Sequence, residues 1–135
     1  MDKNTQIRKT ASNWYKVPAR MKSNTNGTSM FTFIELASFS HRRANYLTDD
    51  EFKELQENLI ENPEAGVIIQ NTGGFRKLRW ASRSGGKRGG LRVIYYNLSA
   101  KTGKLYLATI YAKTDTADLT PDQKKQLKLV ASKLK

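Results

Sequence analysis

The sequence predicts an α+β fold: a small antiparallel β-sheet with one capped helix before the meander and another at the C-terminus. Three observations carry that reading. Phe75 to Ala81 alternates strictly, with Phe75, Lys77 and Arg79 on one face and Arg76, Leu78 and Trp80 on the other, which is the period of a strand. Two further strand-like runs, Leu91–Leu98 and Lys104–Tyr111, follow after turn-forming residues and predict a meander. Thr48 with Glu51, and Thr120 with Gln123, have the three-residue spacing of capped helix starts.

The elements follow in order. Residues 1–29 carry six basic residues and one acid and close on Lys22-Ser23-Asn24-Thr25-Asn26-Gly27-Thr28-Ser29. That composition suits a basic, flexible N-terminal extension; a helix around Trp14 and Tyr15 docked on the domain is the alternative. The folded domain is expected over 30–135, opening at Met30, which also has the look of an ancestral start. Phe31-Thr32-Phe33-Ile34-Glu35-Leu36 is aromatic and β-branched, a first strand. Residues 38–47 fit a short helix or a loop equally well. Thr48 then caps a helix with Asp49 and Asp50 at the positive end of its dipole. Phe52, Leu55, Leu59 and Ile60 form its apolar stripe, and Asn62-Pro63 ends it. Its other faces carry Asp50, Glu51, Glu54, Glu57 and Glu61, a solvated face by composition.

Val67-Ile68-Ile69 reads as a short edge strand, and Thr72-Gly73-Gly74 as a turn into Phe75–Ala81. Ser82 to Gly90 is a Gly- and Lys/Arg-rich loop. Ser99-Ala100-Lys101-Thr102-Gly103 turns the chain between the last two strands. Thr120 caps the final helix with Pro121 in its first position, and Leu127, Val130, Ala131 and Leu134 supply its stripe.

Composition narrows the function. At 135 residues a single domain is expected, and a hydrophobic share of 38% is low enough to leave part of the chain unpacked. A net charge of +12 favours nucleic acid as partner, ahead of an anionic membrane surface. No apolar run approaches the roughly 18 residues of a transmembrane helix, and the N-terminus lacks the apolar core of a secretory signal. With no cysteine and only His41, disulfides are excluded and a zinc site is disfavoured. A cytoplasmic location is the simplest expectation.

The positive charge is concentrated. Between Glu64 and Asp115 stand Arg76, Lys77, Arg79, Arg83, Lys87, Arg88, Arg92, Lys101, Lys104 and Lys113, with no Asp or Glu among them. Phe75, Trp80, Tyr95, Tyr96, Tyr106 and Tyr111 are interleaved. Unrelieved cations on strand-like sequence call for a polyanion. Lys77 and Arg79 share one strand face, and a short hairpin brings Arg92 towards Arg79, with Lys87 and Arg88 in the loop above. That grouping suits phosphate; a plain solvated basic face is the competing reading. RNA cleavage by transesterification needs no metal: the 2′-oxygen loses a proton, the phosphate charge is stabilised and the 5′-oxygen is protonated. Arg fits the middle role and a Lys beside other cations the proton transfers. His41 lies outside the basic segment and reads as a surface or capping residue.

Three segments carry a resemblance: Gly73-Gly74-Phe75-Arg76-Lys77-Leu78-Arg79-Trp80-Ala81, Gly86-Lys87-Arg88-Gly89-Gly90-Leu91-Arg92-Val93-Ile94-Tyr95-Tyr96, and Ile110-Tyr111-Ala112-Lys113 ahead of Asp118-Leu119-Thr120. In this order and spacing the chain from about Met30 onward resembles the HigB branch of the RelE/ParE toxin superfamily. The resemblance implies a small antiparallel, RelE-like sheet with helices packed on one side and a C-terminal helix, and the toxin of a type II toxin–antitoxin pair. Such a toxin is a ribosome-dependent endoribonuclease cutting mRNA in the ribosomal A site. It implies roles for Lys77 and Arg79 in proton transfer and phosphate binding, for Arg92 on the scissile phosphate, and for Lys113 as the basic position after the last strand. It further implies a HigA-like helix-turn-helix antitoxin as partner, and no cofactor or metal. Some RelE members carry a C-terminal Arg and Tyr; here Thr114-Asp115-Thr116-Ala117-Asp118-Leu119 stands there instead, which leaves the general base unassigned. Tyr96 or Tyr111 is then the candidate for base stacking. Arg76, Arg83, Lys87 and Arg88 are expected to contact RNA or ribosome, with Lys101 and Lys104 adding long-range attraction. The alternatives are a ParE-like or otherwise non-nucleolytic toxin, or a nucleic-acid-binding module without catalysis.

Overall fold

A computed structural model of the chain describes residues 31–81, 90–115 and 118–134, together with the backbone of 16–18. In chain order these form β1 (Lys16–Pro18), β2 (Thr32–Glu35), α1 (Ala37–Tyr46), α2 (Asp49–Glu61), β3 (Val67–Ile68), β4 (Arg76–Trp80), β5 (Leu91–Leu98), the single turn α3 (Ser99–Thr102), β6 (Lys104–Ala112) and α4 (Pro121–Leu134). The strands make one sheet in the order β1-β2-β6-β5-β4-β3. The fold is α+β as expected. The meander β4-β5-β6 is antiparallel, whereas β2 runs parallel to β6, so the sheet as a whole is mixed.

Two apolar layers hold it together, one on each face of the sheet. On the first face Phe39 of α1 and Phe52, Leu55 and Leu59 of α2 pack onto Leu91, Val93, Tyr95, Leu105, Leu107 and Ile110. On the second face Ala131, with Leu127, Val130 and Leu134 of α4, packs onto Phe75, Ile94, Tyr96 and Tyr106. Burial of this area is the main favourable term in folding. The alternation along β5 is what serves both layers: its odd residues feed the first and its even residues the second.

Local chemistry fixes the helix ends. The Thr48 Oγ1 accepts from the Glu51 backbone N–H at 3.1 Å and the Glu51 carboxylate accepts from the Thr48 N–H at 2.9 Å, a complete capping box. Thr120 and Gln123 repeat the arrangement at the start of α4, at 3.1 and 2.9 Å. Helix α1 has no side-chain cap; tertiary contacts make it. It lies along the free edge of β6 beyond the end of β2, where Arg42 Nε donates to the Ile110 carbonyl at 2.9 Å and Ser38 bonds Thr109 at 2.6 Å. That covers an edge which would otherwise expose unpaired backbone groups.

The turn before β4 positions α4. Gly73 has φ +78, and a Cβ there would come within 2.9 Å of the Ala131 Cβ, so the small residue lets the helix settle against the turn. Expected Ser99–Gly103 hairpin residues form α3, closed by Gly103 in the left-handed region. The expected boundary at Met30 is crossed by β1, because Lys16–Pro18 pairs antiparallel with β2; the flexibility expected of the rest of 1–29 lies outside the described residues.

Candidate phosphate-binding site

The antiparallel register of β4 and β5 pairs Arg79 directly with Arg92, and that of β5 and β6 pairs Arg92 with Tyr111. Leu78 and Trp80 belong to the first face, so Lys77 and Arg79 take the second. Tyr111 belongs to the second-face cluster, and Arg92 shares that face by alternation between Leu91 and Val93. One row near one end of the three central strands therefore reads Arg79, Arg92, Tyr111, with Lys77 further in beside Ile94. The helix α4 packs over Phe75, Tyr96 and Tyr106, towards the opposite end of these strands.

Two like charges directly opposite in a sheet repel, and this pair has no carboxylate partner among the described residues. Arg79 is exposed and Arg92 half-buried. Among the described residues the Arg92 side chain makes one hydrogen bond, a long one from Nη1 to its neighbour Leu91 O at 3.4 Å. Gly90, at φ +104, leaves room for it: a Cβ there would stand 3.4 Å from the guanidinium. Planar guanidinium forks with unused donors are suited to a tetrahedral oxyanion.

Lys77 is engaged. Its ammonium lies 3.2 Å from the Asp118 Oδ1, with the lysine side chain 30% and the aspartate 70% exposed. The hydrogen bond from Lys77, aided by the charges of Lys77 and Lys124 and the Leu119 backbone, holds the Asp118 carboxyl below its usual range despite some desolvation. The sequence reading missed this residue, because Asp118 lies just beyond the acid-free stretch and 41 residues from Lys77. It arrives by the return of the chain from β6, whose exit is pinned where the Tyr46 hydroxyl meets Asp115 Oδ2 at 3.1 Å. The cation group is thus partly neutralised by one exposed, displaceable carboxylate.

The other expected residues divide. Lys113 is exposed at the same end of the sheet, its backbone N–H meeting the Gly90 carbonyl at 3.4 Å. Arg76 does not join: it lies on the first face and its Nη1 donates to Gly66 O at 2.7 Å, bracing the approach to β3. Tyr96 and Tyr111 are only 6% and 4% exposed. Tyr96 packs against Phe75 with ring centroids 4.9 Å apart, so neither ring offers a face to a base, and the stacking expectation is corrected for both. Arg83, Lys87 and Arg88 lie outside the described residues. His41 is exposed on α1.

Tyr111 has a different property. Its hydroxyl is buried and has no hydrogen-bond partner among the described residues. Burial pushes the phenol's pKa up, the Asp118 carboxylate adds to that, and Arg92 opposes it. Among the described residues no group of His, Cys, Asp and Glu could hold a metal ion, and no helix is long and apolar enough to cross a membrane. A scan against protein-family models finds none that matches the chain.

Proposed function

We propose that the protein is a ribosome-dependent mRNA endoribonuclease, the toxin of a type II toxin–antitoxin pair, acting in the cytoplasm. The observation that supports this reading best is the facing pair Arg79 and Arg92, with Lys77 on the same face. A pair of opposed guanidiniums costs stability in the free protein and is rewarded when a phosphate supplies the countercharge. In this reading the two arginines hold the non-bridging oxygens of the scissile phosphate while the 2′-oxygen attacks phosphorus and the bond to the 5′-oxygen breaks. Lys77, released from Asp118 by the incoming phosphate, is the group placed to move a proton. Lys113, exposed near the arginine pair, and by sequence Arg83, Lys87 and Arg88 are the residues expected to contact the RNA or ribosomal RNA. The positive surface favours an acidic, helix-turn-helix antitoxin of HigA type as the masking partner.

Ribosomes programmed with a defined mRNA and incubated with the purified full chain test it. Cleavage within the translated codons, absent for the same mRNA free of ribosomes and absent for Arg92→Ala, is the expected result. Tight binding to RNA without cleavage would favour a non-catalytic nucleic-acid module, and arrest of growth without either would favour a non-nucleolytic toxin.

A further inference from the structure

The row Arg79, Arg92, Tyr111 contains two cations and a phenol, and the phenol has been given no task by the fold. Tyr95, a buried tyrosine of β5, shows what a structural phenol looks like here. Tyr95 donates to the Pro63 carbonyl at 2.8 Å and accepts from the Gly66 N–H at 2.8 Å, tying the end of α2 to β3. Tyr111 is nearly as deeply placed, 4% exposed against 0% for Tyr95, yet its hydroxyl meets no donor or acceptor among the described residues. Buried polar groups are ordinarily paired, because desolvation without a hydrogen bond is costly. Apolar packing alone would be served as well by phenylalanine.

The surroundings say what kind of partner is missing. Tyr111 is the direct cross-strand neighbour of Arg92. Its phenol senses the charges of both Arg92 and Asp118, and burial keeps it protonated at neutral pH. A neutral phenol beside a guanidinium is a hydrogen-bond donor, and its complement is an anionic oxygen. We propose that the Tyr111 hydroxyl donates a hydrogen bond to the phosphate held by Arg79 and Arg92, which makes Tyr111 a catalytic residue. The role rests on the phosphate-cleaving reading above and deepens it: the ligand is a phosphodiester oxygen, recognised by two charged forks and one neutral donor. This differs from a stacking tyrosine, which would need an exposed ring.

Tyr111→Phe isolates the hydroxyl while keeping the ring in the core. A hydrogen bond to a charged group that strengthens as charge builds on the phosphate predicts single-turnover cleavage on programmed ribosomes slowed about ten- to a hundredfold. The concentration of protein giving half-maximal rate stays within about twofold, because the buried hydroxyl makes no contact with the ribosome surface. Thermal stability is unchanged or raised, as expected on removing an unpaired buried hydroxyl. A rate within twofold of wild type, with Arg92→Ala inactive, would overturn the role of Tyr111 and leave the nuclease reading standing. Retained cleavage by Arg92→Ala would overturn the nuclease reading instead.

A second measurement does not depend on cleavage. In the full chain labelled with ¹³C at tyrosine Cζ, the resonance missing from Tyr111→Phe shifts on titration with inorganic phosphate, and that shift is lost in Arg92→Ala. A Tyr111 resonance that stays fixed while Arg92 responds to phosphate would remove the hydroxyl from the site.

Discussion

Arg79 and Arg92 stand directly opposite each other on adjacent antiparallel strands, on the same face of the sheet, with Tyr111 next in the row. Cross-strand partners have their Cβ atoms about 5 Å apart, and like charges in that relationship destabilise a sheet. Replacing either by glutamine is therefore expected to stabilise the free protein by about 0.2–1 kcal/mol. The gain shrinks as salt rises, since Arg79 is exposed. Cleavage falls at the same time by about 10²–10³-fold, the usual loss when one donor to a developing oxyanion is removed. Thermal unfolding at two salt concentrations, beside a cleavage assay, checks both halves.

Asp118 holds Lys77 in the resting protein. Its carboxyl titrates below the ordinary range, chiefly through the hydrogen bond from Lys77. A depressed folded-state pKa contributes stability above the unfolded value and loses it as pH falls through the folded one. The stability difference between wild type and Asp118→Asn should thus be constant at neutral pH, begin to fall below about pH 4 and vanish only below the depressed native value. It stays under about 1 kcal/mol, because the pair is exposed. Because the competing carboxylate is gone, Asp118→Asn also binds inorganic phosphate more tightly. Urea titrations at pH 7 and pH 3 and a phosphate titration measure these effects.

Tyr95 and Tyr111 predict opposite outcomes for the same substitution. Tyr95→Phe leaves the Pro63 carbonyl and Gly66 N–H without their partner and is expected to cost about 1–3 kcal/mol. Tyr111→Phe has no such cost. Denaturant midpoints of the two variants, compared with wild type, make the contrast directly.

Lys101 and Lys104 lie at the end of the sheet away from Arg92, exposed and outside the row. Reversing both to glutamate should slow association with ribosomes at low salt and leave the cleavage step unchanged. Binding rates at about 50 and 200 mM salt, with single-turnover cleavage at saturation, separate the two.

The sequence carried much of this arrangement because its strongest signals are local. Alternation in Phe75–Ala81 and the short reach from β4 to β5 were enough to bring Lys77, Arg79 and Arg92 together. The capped starts of α2 and α4 were legible in Thr48, Glu51, Thr120 and Gln123 for the same reason. What escaped depends on contacts between distant segments. Helix α1 has no cap and is stabilised by the edge of β6, so 38–47 read equally as helix or loop. The parallel pairing of β2 with β6 brings Phe33 beside Leu105, a relation that no local pattern encodes. Tyr96 looked available for stacking until α4 and Phe75 closed over it, and Asp118 entered the site only by the return of the chain across the sheet.

Mapping of mRNA ends after induction of the protein in growing cells tests the central claim most directly, with wild type and Arg92→Ala run in parallel. The account predicts new 5′ ends confined to translated regions, appearing with wild type and absent with Arg92→Ala at equal protein level. New ends that persist in Arg92→Ala, or that fall equally in untranslated RNA, would contradict it.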